Sequence, residues 1–262
     1  MTLKSGLLLL ILVTSLNCFA ETQSINTKQS QNTILKTTDS VTREVSIWLD
    51  QSRDRQIPIA TYTNRNLKFS SRKQQQLVIL SPGYPGKNTD YGYIARNLAM
   101  LGYFVITIQN DLPTDPPIPT TGNIYDARMP FWNTGVSNIL FVKNKLQELQ
   151  PKLDYKQLVL IGHSNGGDIS MLFATKYPDL VKTVISLDNR RMPFPRNSKP
   201  RIFSIRSKDQ AADLGVIPTD QELIKYNMTL VKINTIHDDM GGLGTADQLK
   251  EINNYITNFL KR

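Results

Sequence analysis

The chain is 262 residues long, 40% apolar and 20% charged, with a formal net charge of +9 and a single cysteine. Such proportions suit a soluble globular protein with a sizeable core. The basic excess comes without zinc-finger spacing, an RNP-type aromatic motif or a long basic run, so no nucleic-acid partner is expected.

The first twenty residues differ from the rest. Lys4 precedes the apolar stretch Leu7 to Val13, and Cys18-Phe19-Ala20 offers small residues where a signal peptidase reads. The stretch is too short to span a bilayer comfortably. Residues 1–20 are therefore expected to be a cleaved signal peptide, and the product secreted or periplasmic, with no integral membrane segment after cleavage. Lipidation at Cys18 is an alternative that Asn17, directly before it, fits poorly. Cleavage after Ala20 removes one charge, Lys4, leaving +8, and removes the only cysteine. That excludes a disulfide, a zinc-thiolate site and a cysteine nucleophile. The remaining charge would favour acidic surfaces or anionic lipids, but a basic secreted protein is the plainer reading.

Glu21 to Ser40, rich in Thr, Gln, Asn and Ser, reads as a flexible leader. From Val41 to Arg262 no linker interrupts the pattern, so one domain is expected. Val45–Leu49 and Ile57–Tyr62 read as strands joined through the polar turn Asp50–Gln56. Short apolar runs follow at Leu77–Leu80, Tyr103–Ile108, Leu158–Ile161, Val184–Leu187, Ile202–Ile205 and Leu230–Ile233. Runs apolar on both faces imply a sheet covered on both sides. Helical spacing lies between them. Ile94, Leu98 and Leu101 mark one helix, with Asp90 as cap and Gly102 as stop. Val136, Ile139, Leu146 and Leu149 mark a second, ended by Pro151. Ile169, Leu172 and Phe173 mark a third, ended before Pro178, and Leu249, Ile252, Ile256 and Phe259 a last one. The alternation predicts an α/β fold, a doubly wound and mostly parallel sheet with helices on both faces. No segment is long enough for a helical lid. One long irregular loop is expected over Asp111 to Pro130, which holds four further prolines, Pro113, Pro116, Pro117 and Pro119.

The stretch "LVLIGHSNGGDIS" (Leu158 to Ser170) places Ser164 in the turn between a buried strand and a helix. Gly162, Ser164 and Gly166 form G-x-S-x-G, in which glycines permit a sharp turn that exposes the hydroxyl. The N–H of Asn165 at the helix N-terminus points into the same space, where negative charge is favoured. A serine nucleophile needs a base, and the chain has only two histidines. His163 precedes the serine, so its side chain should point away, as a packed turn residue. His237, in a loop before the last helix, is left as the base. In "LVILSPGYPG" the Pro-Gly turn after a strand would aim the Tyr84 N–H at the reacting carbonyl and complete an oxyanion hole with Asn165. Three candidate acids follow the serine and precede the histidine, as the expected chain order requires: Asp209 is preferred, Asp188 is the alternative and Asp213 the third.

On these residues the chain resembles an α/β-hydrolase. It is similar to lidless secreted serine esterases, both the dienelactone-hydrolase-like and cutinase-like enzymes and the platelet-activating-factor acetylhydrolases. "DRQIPIATY", "SPGYPG" with "YIARNLAMLGYFVITIQND", "IGHSNGG" and "HDDMGG" carry the likeness, which covers most of Val41 to Arg262. Ser164 stands where dienelactone hydrolases use cysteine. The acetylhydrolase pattern puts the acid at Asp188, whereas the strand followed by Asp209 is closer to the other group.

The resemblance and the residues together imply hydrolysis of carboxylic esters, short-chain or water-accessible, through an acyl-enzyme on Ser164. No metal or other cofactor is expected, and the partner is a small ester, a lipid-like one among the candidates. Tyr84, Tyr91 and Trp132 are candidates to line the pocket, and Arg190, Arg191, Arg196, Lys199 and Arg201 to hold an anionic group. Three rivals stand beside this: a metal-dependent hydrolase using His237, Asp238 and Asp239, a serine peptidase or amidase, and a non-catalytic binding protein on the same fold.

Overall fold

The computed structural model describes residues 33–35, 40–67 and 74–262. The expected signal peptide over 1–20 and most of the leader over 21–40 lie outside them. In chain order the elements are β1 (Thr33–Leu35), β2 (Val41–Asp50), β3 (Arg55–Asn64), β4 (Gln75–Ser81) and α1 (Gly92–Met100). Next come β5 (Phe104–Ile108), α2 (Ile124–Leu149), β6 (Leu153–His163), α3 (Asn165–Lys176) and β7 (Val181–Leu187). The chain closes with β8 (Arg201–Arg206), α4 (Asp220–Lys225), β9 (Thr229–Lys232) and α5 (Ala246–Leu260).

One nine-stranded sheet runs β1-β2-β3-β5-β4-β6-β7-β8-β9. The first three strands pair antiparallel and β3 meets β5 antiparallel, while every pair from β5 through β9 is parallel. β1 lies within the expected leader, where three residues pair with Arg43, Glu44 and Val45 of β2.

The apolar runs divide between two cores because successive strand side chains face opposite ways. Leu77, Ile79, Leu158 and Leu160 pack with Trp132, Ile139 and Ile169 from α2 and α3. Val78, Leu80, Val159 and Ile161 pack on the other face with Ile94, Leu98, Ile252 and Ile256 from α1 and α5. Each buried aliphatic side chain contributes roughly 2 kcal/mol. Among the described residues no helix is long and apolar enough to cross a membrane.

Several element ends differ from expectation for local reasons. Asp90 does not cap α1; the N-cap is Tyr91, and the Asp90 carboxylate accepts the Lys87 N–H instead. Gly102 does stop α1, with φ +97° and its N–H on the Ala99 carbonyl. The expected loop to Pro130 ends earlier, because α2 starts at Ile124 behind an Asn123 cap and contains Pro130. The ring removes one N–H from the helix ladder, yet twenty-six residues of helix packed along the sheet outweigh that local cost. α4 was not foreseen, although Thr219 and Glu222 form a capping box there.

Candidate active site

β4, β6, β7, β8 and β9 run parallel, so their carboxyl ends share one edge, where an open α/β sheet offers a crevice. β6 ends at His163 and α3 begins at Asn165, which leaves Ser164 alone in the turn. Its backbone is strained, at φ +50° and ψ −119°. The Ser164 N–H still donates to the Leu187 carbonyl of β7, 2.9 Å away, so the strained residue stays tied to the sheet. The flanking glycines are needed for close approach. A Cβ on Gly162 would sit 2.2 Å from the Gly166 carbonyl oxygen, and one on Gly166 would sit 2.1 Å from that of Ser81. The turn therefore packs backbone on backbone, also against the end of β4.

His237 follows β9 and starts a single 3-10 turn over Asp238–Gly241. Its Nε2 lies 3.0 Å from Ser164 Oγ and its Nδ1 2.7 Å from Asp188 Oδ2. With Nδ1–H donating to the carboxylate, Nε2 is free to accept the serine proton. Both ring nitrogens are thus committed, so His237 does not gather with Asp238 and Asp239 as a ligand set. Among the described residues no three His, Cys, Asp or Glu side chains come together as a metal site.

The preference for Asp209 is corrected by this geometry. Asp209 reaches the same loop, but its Oδ1 accepts the main-chain N–H of His237 at 2.8 Å, not the ring. Asp213 turns away toward Arg191, 4.0 Å off. Asp188 is chosen because its own backbone, at φ +58° just past β7, drops a fully buried carboxylate beneath the imidazole. Around it gather the Ser207 N–H at 3.2 Å, the Ser207 hydroxyl at 2.5 Å and Arg206 Nη2 at 2.9 Å. Burial pushes the Asp188 carboxyl up, but His237, Arg206 and Ser207 together hold it below the ordinary carboxylate value. Arg206 and Ser207 were not singled out from the sequence. The one signal was an arginine closing the strand-like run "IFSIR".

Ser164 and His237 open into a cleft of about 520 Å³, which Tyr84, Tyr91, Asp238 and Leu243 also line. Trp132 does not line it, contrary to expectation. It is fully buried, and its indole N–H donates to Asn165 Oδ1 at 2.9 Å. None of the basic stretch lines the cleft either, and four of its five members have partners of their own. Arg190 donates to the Ala211 carbonyl, Arg191 faces Asp213, Arg196 pairs with Glu222, and Arg201 donates to the Phe259 carbonyl. Neither the Tyr84 nor the Asn165 N–H donates to another group among the described residues. Asn165, first in its helix, has no acceptor within it.

A hydroxyl bonded to an imidazole that is bonded to a buried carboxylate can deliver an activated alkoxide to a carbonyl. Comparisons with known proteins agree with that capacity. The family model of the alpha/beta hydrolase fold matches residues 76–213, so the chain belongs to that family. It is 26% identical over 140 residues to cutinase est1 of Thermobifida alba, covering 53% of this chain and 42% of that protein. The chain thus spans less than half the length of this relative. Among solved structures, esterase Est22 superposes with a TM-score of 0.61 at 14% identity, covering 85% of this chain and 81% of the other. An S-formylglutathione hydrolase from Agrobacterium tumefaciens gives 0.57 at 14% identity, covering 87% and 97%. Likeness at such identity shows the shared fold.

Proposed function

We propose that this protein hydrolyses carboxylic esters by acyl transfer through Ser164. The observation that carries the reading is the hydrogen-bonded chain Ser164–His237–Asp188, at 3.0 and 2.7 Å. Ser164 Oγ attacks the ester carbonyl carbon as His237 Nε2 takes its proton. The carbonyl π pair moves to oxygen, and the Tyr84 and Asn165 N–H groups receive that oxyanion. Collapse expels the alcohol, which takes the proton from His237. Water then attacks the acyl-enzyme with the same base, and the acid leaves as Ser164 is reprotonated. Asp188 keeps the ring oriented and stabilises the imidazolium without itself being protonated.

The open cleft beside Ser164 supports small, water-accessible esters as substrates. The cutinases and esterases among the relatives support the same reaction class. The amino-terminal apolar stretch supports a secreted or periplasmic product, which amino-terminal sequencing of the exported protein checks at Ala20. A chain-length series of chromogenic esters, run beside peptide and anilide substrates, tests the reading. Ester turnover that disappears in Ser164→Ala with folding intact is expected. Turnover retained in that variant removes the nucleophile and the proposal with it.

A further inference from the structure

We infer that Tyr91 is a positioning residue of this site, whose hydroxyl joins the oxyanion loop to His163 and so aims the Tyr84 N–H. The inference rests on the ester-hydrolase reading and deepens it.

Tyr91 is buried just before α1, with its hydroxyl between two parts of the site. The Gly83 N–H donates to it at 3.1 Å, and it lies 2.5 Å from His163 Nδ1. The oxygen accepts from Gly83 and keeps one proton and a second lone pair for His163 Nδ1, so the bridge closes with either neutral tautomer of that ring. Burial pushes the His163 imidazole down to about 3, so the ring is neutral at pH 7 and links the two groups without adding a charge beside His237.

The consequence falls on the peptide between Gly83 and Tyr84. Its carbonyl accepts the Gly86 N–H at 2.6 Å, and the N–H one residue earlier is held by Tyr91. With both neighbours fixed, the Tyr84 N–H must point opposite its carbonyl, away from Gly86. The loop also lies directly on the serine turn. A Cβ on Gly83 would be 2.9 Å from His163 Nδ1 and 3.3 Å from Ser164 Cβ. On its far side the His163 ring faces His237, centroid to centroid 4.6 Å. Hydrogen bonds therefore join the oxyanion loop to His163 beside the serine, and a ring contact continues from His163 to the base. His163, expected as a packed turn residue, is the middle link.

The test is Tyr91→Phe, with active enzyme counted by fluorophosphonate titration of Ser164. Because one oxyanion donor is loosened rather than removed, kcat on a short p-nitrophenyl ester should fall about tenfold with KM within twofold. Affinity for a trifluoromethyl ketone, which binds as a tetrahedral oxyanion adduct, should fall by the same factor as kcat/KM. A kcat within twofold of wild type, or a loss confined to KM or to the active fraction, overturns the inference. Should Tyr91→Phe fail to fold, nitrogen-15 NMR of the wild-type rings decides. The chain has two histidines, and His237 is the one that responds when Ser164 is labelled. His163 Nδ1 should show the nitrogen shift of a hydrogen-bonded ring nitrogen at pH 7, and the shift of a bare nitrogen overturns the bridge. No ester turnover by the wild type would sink the hydrolase reading, while the nitrogen shift of His163 would still judge the bridge.

Discussion

Asp188 Oδ2 lies 2.7 Å from His237 Nδ1, although 49 residues separate the two in the chain. Asp209, only 28 residues before His237, touches the main chain of that histidine and never its ring. The acid closer in sequence therefore shapes the loop, and the one farther away orients the imidazole. Asp188→Asn should lower kcat about 10³- to 10⁴-fold by favouring the wrong tautomer. Asp209→Asn should cost less than about tenfold, since an amide oxygen still accepts the N–H. Parallel kcat/KM values on one ester check this, and equal losses would count against the assignment.

Gly162 and Gly166 should tolerate no side chain. A Cβ at either would fall within 2.2 Å of a carbonyl oxygen, and neither partner is a flexible side chain that can swing away. Gly162→Ala or Gly166→Ala is expected to destabilise the fold by about 3 kcal/mol or more. Chemical denaturation measures it. An unchanged midpoint would show that the turn is looser than its contacts imply.

Trp132 acts on the site from inside the core. Its indole N–H holds Asn165 Oδ1, and Asn165 Nδ2 reaches Asp111 at 3.5 Å, so the residue after the nucleophile is clasped from two sides. Trp132→Phe keeps much of the packing and removes the donor. Stability should drop by about 1–2 kcal/mol, with kcat a few-fold lower. Thermal melting and ester turnover, read together, check both effects.

Asp168 provides a pH test with a definite sign. Its Oδ1 accepts the N–H groups of Arg190, Arg191 and Met192, which pins the loop behind Asp188 to the first turn of α3. Burial nevertheless pushes its carboxyl up, to about 6. A raised carboxyl favours the folded state most below its unfolded value, and that contribution is lost as pH rises through about 6. Asp168→Asn keeps an acceptor without the buried charge. Its melting temperature should exceed that of the wild type at pH 8, and the difference should vanish near pH 4. Asp188 has the opposite sign: held low, it contributes stability present above its unfolded value and lost on acidification.

Much of the architecture was legible in the chain because its signals are local. Apolar runs of four to six residues marked β4 through β9, and G-x-S-x-G between a run and a helix marked Ser164. Scarcity did the rest, since one of two histidines sat beside the serine with its side chain turned elsewhere, leaving His237. Pro130 misled for an equally local reason: proline weakens a helix in isolation, whereas α2 is held by packing along its length.

Sequence alone pointed to Ser164, to His237 and to the alternation of strand and helix, because each reading depends on neighbours along the chain or on residue type. The choice of acid, the link from Tyr91 through His163, and the use of Trp132 behind the turn were decided only in three dimensions. Those depend on which side chains the carboxyl ends of β4, β6, β7 and β8 bring within about 3 Å of each other. Spacing carries no such information: Asp188 directly follows β7 and Asp209 lies three residues past β8, and both reach His237, one at its ring and the other at its main chain.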